Sequence, residues 1–247
     1  MNEYVLNVSA YRFVALDNLS ELRARLLAFC EAADVRGTVL LADEGINLSV
    51  AGAASSISAL RAVLDCDLRL ASMTYKESWS ERTPFRRLKI KIRREIVSFG
   101  IAGIDPARRP APALQPEMLK AWLDEGRSVV LLDTRNAVEY AQGSFSGAIQ
   151  LGNTSFRGFA AAAGTLVRTS TATPVVTFCT GGIRCEKAAP LLLQLGHPSV
   201  YQLSGGILNY FRCAGDAHYR GDCFVFDERT ALDSALQPSR GQSPVQP

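Results

Sequence analysis

The sequence is poor in the side chains that most often bind metal. Of its 247 residues two are histidine, and its six cysteines, Cys30, Cys66, Cys179, Cys185, Cys213 and Cys223, form no C-x-x-C pair. A zinc site is therefore not expected, and no metal is assigned. Long apolar runs are also lacking: none approaches the ~20 residues needed to cross a bilayer. Neither a transmembrane helix nor a membrane partner is expected. The N-terminus, "MNEYVLNVSAYRF", has neither the basic start nor the unbroken apolar core of a secretion signal. That predicts a reducing, cytoplasmic compartment, in which the cysteines remain thiols. No dinucleotide glycine fingerprint, flavin motif or iron-ligand set is present, so no cofactor is identified.

What the sequence does contain is an ordinary globular composition, 47% hydrophobic and 21% charged, with a net charge of +3. Residues 1–112 carry 16 Lys+Arg against 13 Asp+Glu, and residues 113–247 carry 11 of each. Much of the local excess lies in "RTPFRRLKIKIRR", Arg82–Arg94, which alternates strictly at its centre. Leu88, Ile90 and Ile92 should face the core, and Lys89, Lys91 and Arg93 the other way. Two residues of strand rise set these cations ~7 Å apart, close to the phosphate spacing of a nucleic acid strand. They are candidates for a polyanionic partner, against the plainer reading of a lysine-protected sheet edge. Tyr75, Trp79 and Phe85 could stack on bases but read more readily as core. A second set of cations, Arg135, Arg157 and Lys187, falls near the thiol loop described below.

The proline-rich stretch "IDPARRPAPALQP" predicts a linker over residues 104–116. Residues 1–103 read as strand, helix, strand, strand, helix, strand, with further β-like runs at Leu68–Glu77 and Phe85–Phe99. That order predicts an α+β split-βαβ, or ferredoxin-like, domain. Its first helix, "LSELRARLLAFCEAA", could be capped by Ser20. Cys30 and Cys66 fall on predicted helices as core residues. After the linker, three apolar strands, "SVVLLDTR", "PVVTFCTG" and "SVYQLSGG", alternate with helical patterns. Residues 117–229 therefore read as an α/β domain with a parallel sheet, whose ligand site lies beyond the strands' carboxyl ends. Asp133 and Cys179 fall at such ends. Cys213 and Cys223 flank a loop. Residues 230–247 read as a disordered tail.

The sharpest local signal is "FCTGGIRCEK", Phe178–Lys187. A thiol ends an apolar strand, and Thr180, Gly181, Gly182, Ile183 and Arg184 turn the chain into a helix. The glycines let backbone N–H groups crowd inward, and the helix adds the positive end of its dipole. Arg184 adds a fixed charge. Cys179 should thus ionise readily and act as a nucleophile. Cys185 could resolve an oxidised Cys179 or simply face the core.

The loop resembles that of a rhodanese domain. "LLDTRNAVEYAQGSFSGAIQL" supports the resemblance through Asp133, Arg135, Glu139, Tyr140, Gly143, Gly147 and Ala148. "DTRNAVEY", "FCTGGIRCEKA", "YQLSGGILNY" and "GDCFVFDER", with "GTVLLADEGINLSVAG" and "FRRLKIKIRREIVSFG" before the linker, are similar to the rhodanese-containing tRNA uridine hydroxylases over Tyr11–Arg229. The resemblance implies oxygen-dependent formation of 5-hydroxyuridine at the tRNA wobble position, with Cys179 as the catalytic, persulfide-forming thiol. It implies molecular oxygen as co-substrate, tRNA as partner, and an electron or sulfur donor that remains unidentified. Arg184 would assist Cys179, Asp133, Arg135 and Cys185 would support the loop, and Lys89, Lys91 and Arg93 would hold tRNA. Leu48 stands where the family has glycine, and Pro190 should interrupt the helix after the loop. Longer members carry a C-terminal extension with further cysteines. The alternatives are a sulfurtransferase working through a Cys179 persulfide, and a rhodanese-like interaction module without activity. A cysteine phosphatase fits poorly, because only four residues separate Cys179 from Arg184.

Overall fold

The computed structural model describes residues 4–166 and 173–239. The chain divides into two compact units: residues up to Val97 together with Asp227–Arg229, and Ser98–Phe226 with the residues from Thr230 onward.

The first unit opens with β1 (Val5–Phe13), α1 (Leu19–Ala32), β2 (Arg36–Ala42), β3 (Gly45–Gly52), α2 (Ala54–Asp65), β4 (Lys76–Ser80) and β5 (Leu88–Ile92). The sheet order is β4-β1-β3-β2-β5. Its first four strands are antiparallel neighbours, and β5 adds to the edge parallel to β2. This is the expected split-βαβ arrangement with one extra strand. Alternate residues make the core: Leu6, Val8 and Ala10 on β1, Ile46, Leu48 and Val50 on β3, Val39 and Leu41 on β2. They pack on Leu22, Leu26 and Cys30 of α1 and on Ile57, Leu60 and Leu64 of α2. Leu48 is thus a buried contact in the layer between sheet and helices.

Several local expectations are corrected here. α1 begins after Asn18, in a left-handed conformation with no side-chain cap, so Ser20 lies inside the helix. Leu68–Glu77 is not a strand until Lys76: Asp67 accepts from the backbone and guanidinium of Arg69 and turns the chain, leaving Leu68 exposed. The run Phe85–Phe99 is strand only over Leu88–Ile92. Ile92 is exposed rather than core, because it stands at the outer end of an edge strand. Cys66 is exposed at the end of α2, whereas Cys30 is buried as expected.

The second unit contains β6 (Ala113–Leu114), α3 (Pro116–Asp124), β7 (Val130–Asp133), α4 (Ala137–Gln142), β8 (Gly143–Phe145), β9 (Ile149–Gln150) and α5 (Phe156–Leu166). It continues with β10 (Val175–Phe178), α6 (Cys185–Gln194), β11 (Val200–Leu203), α7 (Gly206–Ala214), β12 (Tyr219–Gly221), β13 (Cys223–Phe224) and β14 (Ala231–Leu232). Its main sheet runs β6-β11-β10-β7-β9, every neighbouring pair parallel. β6 lies inside the stretch expected as a linker, and β14, paired with β13, inside the stretch expected as a tail. Residues 240–247 of that tail lie outside the described residues. α3 and α7 bury Leu119, Trp122, Ile207, Tyr210 and Phe211 on one sheet face, against Leu131, Val176, Phe178 and Leu203. α6 packs on β10 and β11 and also meets α5. Pro190 does not interrupt α6, which runs through it to Gln194. Cys213 lies near the end of α7 and Cys223 opens β13, so the two flank the intervening segment as expected. No helix among the described residues is long and apolar enough to cross a membrane.

Candidate active site

β10 and β7 run side by side with Phe178 in register with Asp133, so both strands end at the same sheet edge. All four residues of β10 are buried, and the chain leaves the sheet at Cys179, itself 2% exposed. The loop from Thr180 to Arg184 then turns into α6. Of the two glycines in the loop, Gly182 takes a positive φ of 95°, a region that strongly favours glycine. That twist aims its N–H at the sulfur, and Gly182 N donates to Cys179 Sγ over 3.1 Å.

Burial pushes the Cys179 thiol up, but several groups outweigh it. Cys185 donates its S–H to the sulfur, Arg184 contributes its charge, and the backbone N–H groups of Arg184 and Gly182 point inward. The thiol therefore lies well below its ordinary range. Cys185, the fully buried first residue of α6, moves the other way, driven up by burial and by the neighbouring sulfur. Thr134 Oγ1 lies 4.0 Å from Cys185 Sγ. Their mutual contact thus favours ionisation at Cys179 and disfavours it at Cys185.

A second wall comes from "LSGG", Leu203–Gly206. Gly206 has φ 68°, and a Cβ there would lie 2.4 Å from Cys179 O and 2.7 Å from Gly182 N. Only glycine lets α7 approach this closely. The approach lets Ile207 N and Leu208 N donate to Cys179 O and Thr180 O at 2.9 and 3.1 Å. The start of α7 thereby satisfies the loop's carbonyls while the loop's own N–H groups stay turned toward the sulfur.

Two ion pairs flank the loop. Arg184 binds Glu139 through both guanidinium prongs. Glu139 is 1% exposed and is held by a capping box in which Asn136 Oδ1 accepts from Glu139 N. Arg135 and Asp133 are both fully buried, with Nη2–Oδ2 at 2.7 Å. Arg135 also donates to Gly143 O at 2.6 Å, and Ser144 donates to Asp133 at 2.8 Å. Arg135 Nη1 has no hydrogen-bond partner among the described residues. Cys223 is buried close by; burial pushes its thiol up to about 12, with the Arg135 charge opposing.

The structure brings Cys179, Thr180, Gly181, Gly182, Ile183, Arg184 and Cys185 together in one loop, with Asp133 and Arg135 beside it on the next strand end. Lys89, Lys91 and Arg93 belong to the other unit. Lys91 and Arg93 are exposed, Lys89 is half-buried, and Arg93 follows the end of β5. Trp79 is 40% exposed rather than core, and lies on β4, at the sheet edge opposite β5. Tyr75 and Phe85 are half-buried. Of the second cation set only Arg157 is exposed, because Arg135 and Lys187 are buried. Sequence reasoning missed Gly206, Thr134 and the pairing of Glu139 with Arg184. The spacing Asn136-x-x-Glu139 is a capping-box signal that could have placed α4.

Two family models match the chain: "UPF0176 acylphosphatase like domain" over residues 5–96 and "Rhodanese-like domain" over residues 115–213. Among curated relatives, a tRNA uridine(34) hydroxylase of Cupriavidus taiwanensis is 47% identical over 240 residues, covering 95% of this chain and 85% of that protein. One of Bordetella petrii is 49% identical over 240 residues, covering 95% of both. Among solved structures, a rhodanese-like domain from Anabaena sp is 18% identical, with a TM-score of 0.39, over 54% of this chain and 89% of that one.

Proposed function

The chain belongs to the tRNA uridine(34) hydroxylase family, and from that membership we infer that it is an enzyme that hydroxylates the uridine at position 34 of tRNA. The reaction is an oxidation of the base. Its product is 5-hydroxyuridine and its oxidant dioxygen. One oxygen atom enters at C5 and the other leaves as water, which takes two electrons and two protons from a reductant.

Cys179 is the reacting thiol. The observation that carries this assignment is the donor cradle: Gly182 N–H at 3.1 Å, the Arg184 N–H and the Cys185 S–H all face one sulfur. A thiolate held this way can add to C6 of uracil. The addition places negative charge on C5, the atom to be oxidised. Once oxygen is on C5, loss of the C5 proton and expulsion of the thiolate restore the ring. Arg184 adds its charge to the cradle, and Asp133 and Arg135 brace the strand end beneath it. The N-terminal unit serves as the tRNA-binding part, with Lys89, Lys91 and Arg93 on phosphates, and the C-terminal unit as the catalytic part. The enzyme works in the cytoplasm, where its substrate is.

Nucleoside analysis of tRNA from a strain lacking the gene tests this reading. The wild-type protein should restore 5-hydroxyuridine, and Cys179→Ser should not. Failure of the wild type would overturn the activity. Restoration by Cys179→Ser would remove the thiol from the reaction.

A further inference from the structure

We propose that Phe226 is the platform on which the target uracil stacks when it is presented to the thiol loop, and therefore a substrate-binding residue. The proposal rests on the hydroxylase reading and gives one aromatic ring a place in it.

The segment Cys223–Phe226 alternates. Cys223 and Val225 are buried, Phe224 is half-buried and Phe226 is 66% exposed. It is the one phenylalanine exposed among the described residues. A single exposed apolar side chain is ordinary on a protein surface, so exposure alone says little. Its surroundings are what distinguish this ring. The Arg184 guanidinium lies 5.6 Å from its centroid. Phe224 meets it edge-on, with centroids 5.0 Å apart and planes at 78°.

The segment is also fixed to the loop. Thr180 Oγ1 donates to Phe224 O at 3.2 Å, β13 pairs with β14, and Val225 N donates to Thr230 O at 2.9 Å. Arg184 is in turn held by Glu139. The ring therefore rests on a cation that cannot swing away, beside a second aromatic, and leaves the rest of its surface to solvent.

That arrangement suits a single nucleobase. A base in an RNA loop must leave its neighbours before a buried enzyme group can reach it, and enzymes replace the lost stacking with an aromatic side chain. Uracil has a small, weakly stacking ring, so a fixed partner matters more for it than for a purine. For addition the sulfur must approach C6 from one face of the ring, which leaves the opposite face free to stack on an aromatic side chain. Cys179 and Phe226 supply these two contacts from either end of the same loop-anchored assembly.

The test uses the full chain. With unmodified tRNA as substrate, Phe226→Ala should lower kcat/KM about ten- to a hundredfold, in line with the stacking contribution of one base. Phe226→Trp should restore it to within about threefold of wild type, since base stacking is tolerant of the aromatic partner. The pH profile of Cys179 alkylation should be unchanged in Phe226→Ala; a shifted profile would mean that the ring only braces Arg184, and would overturn the proposal. Independently, an anticodon stem-loop carrying 5-iodouridine at the wobble position should photo-crosslink to the peptide containing Phe226. Crosslinks confined to other peptides would also overturn it. If the wild-type protein forms a Phe226 crosslink but hydroxylates no uridine, the activity falls while the platform stands. If it hydroxylates normally and Phe226→Ala keeps wild-type kcat/KM, the platform falls while the activity stands.

Discussion

Arg184 and Glu139, 45 residues apart in the chain, meet as a two-pronged ion pair, with Nη1–Oε2 at 2.9 Å and Nη2–Oε1 at 3.1 Å. The side chains are 15% and 1% exposed. Burial works against the arginine's charge, and Glu139 together with Cys179 more than restores it. Arg184 is thus not a lone cation beside the sulfur. It is half of a pair whose other half would be stranded in the interior without it.

Removing either partner should therefore destabilise the protein by roughly 3 kcal/mol, the usual penalty for an abandoned buried charge. The effects on the thiol should be opposite. Arg184→Ala removes a positive charge near Cys179 and should raise its pKa, whereas Glu139→Ala removes the neutralising carboxylate and should lower it further. Urea unfolding gives the first quantity and alkylation rate against pH the second. Thiol shifts in the same direction for both variants would refute this account of the pair.

The donor role of Cys185 can be separated from its bulk. Cys185→Ala deletes the S–H that faces Cys179, and the alkylation profile of Cys179 should move to higher pH. Cys185→Ser keeps a donor of similar size, and its profile should stay near wild type. If both substitutions leave the profile where it was, the N–H groups of Gly182 and Arg184 alone set the thiol's acidity.

His197 supplies a pH dependence away from the site. It is 3% exposed, and neither ring nitrogen has a partner among the described residues. Burial holds its pKa below the usual imidazole value. The unfolded chain therefore binds a proton that the folded chain refuses, and stability must fall as pH drops below about 6.5. His197→Leu, which asks for no hydrogen bonds, should flatten that loss. Unfolding free energies at pH 7.5 and 5.5 for both proteins check it, and equal slopes would show that other groups carry the acid sensitivity.

On the N-terminal unit, replacing Lys89, Lys91 and Arg93 with glutamine should weaken tRNA binding and reduce the log–log salt slope by roughly 2 to 3 units, one condensed-ion release per lost phosphate contact. Alkylation of Cys179 should not respond. Wild-type affinity across a salt series would make the stripe a solvated sheet edge.

The sequence was easiest to read where burial is complete. Leu131, Leu132 and all of Val175–Phe178 are buried, so these strands appear as apolar runs broken only by Thr177. The thiol loop was legible because its demands are local: a strand end, a glycine with positive φ, and a helix start. Contacts between distant segments were not legible. α4 has six residues and turns a carboxylate inward, which looks polar and exposed until its arginine partner is placed. β6 has two residues, and its meaning comes wholly from the neighbouring β11. Ile92 kept the alternation of a core position, but the strand carrying it lies at an edge, with too little packed over its end. Phe226 gave no pattern of its own; it gained significance only when Arg184 was found beneath it.

Gly206 has an effect that outlasts its role in folding. Its missing side chain lets the backbone of α7 close against the carbonyls of Cys179 and Thr180, in a loop where Cys179 is only 2% exposed. An acidic thiol on an open surface would be consumed by peroxides, disulfides and stray electrophiles. Here ionisation and access are governed separately: hydrogen-bond donors make the sulfur ready, and enclosure keeps it private. Both the enclosure of Cys179 and the donor geometry around it thus depend on a position where even one methyl group would not fit.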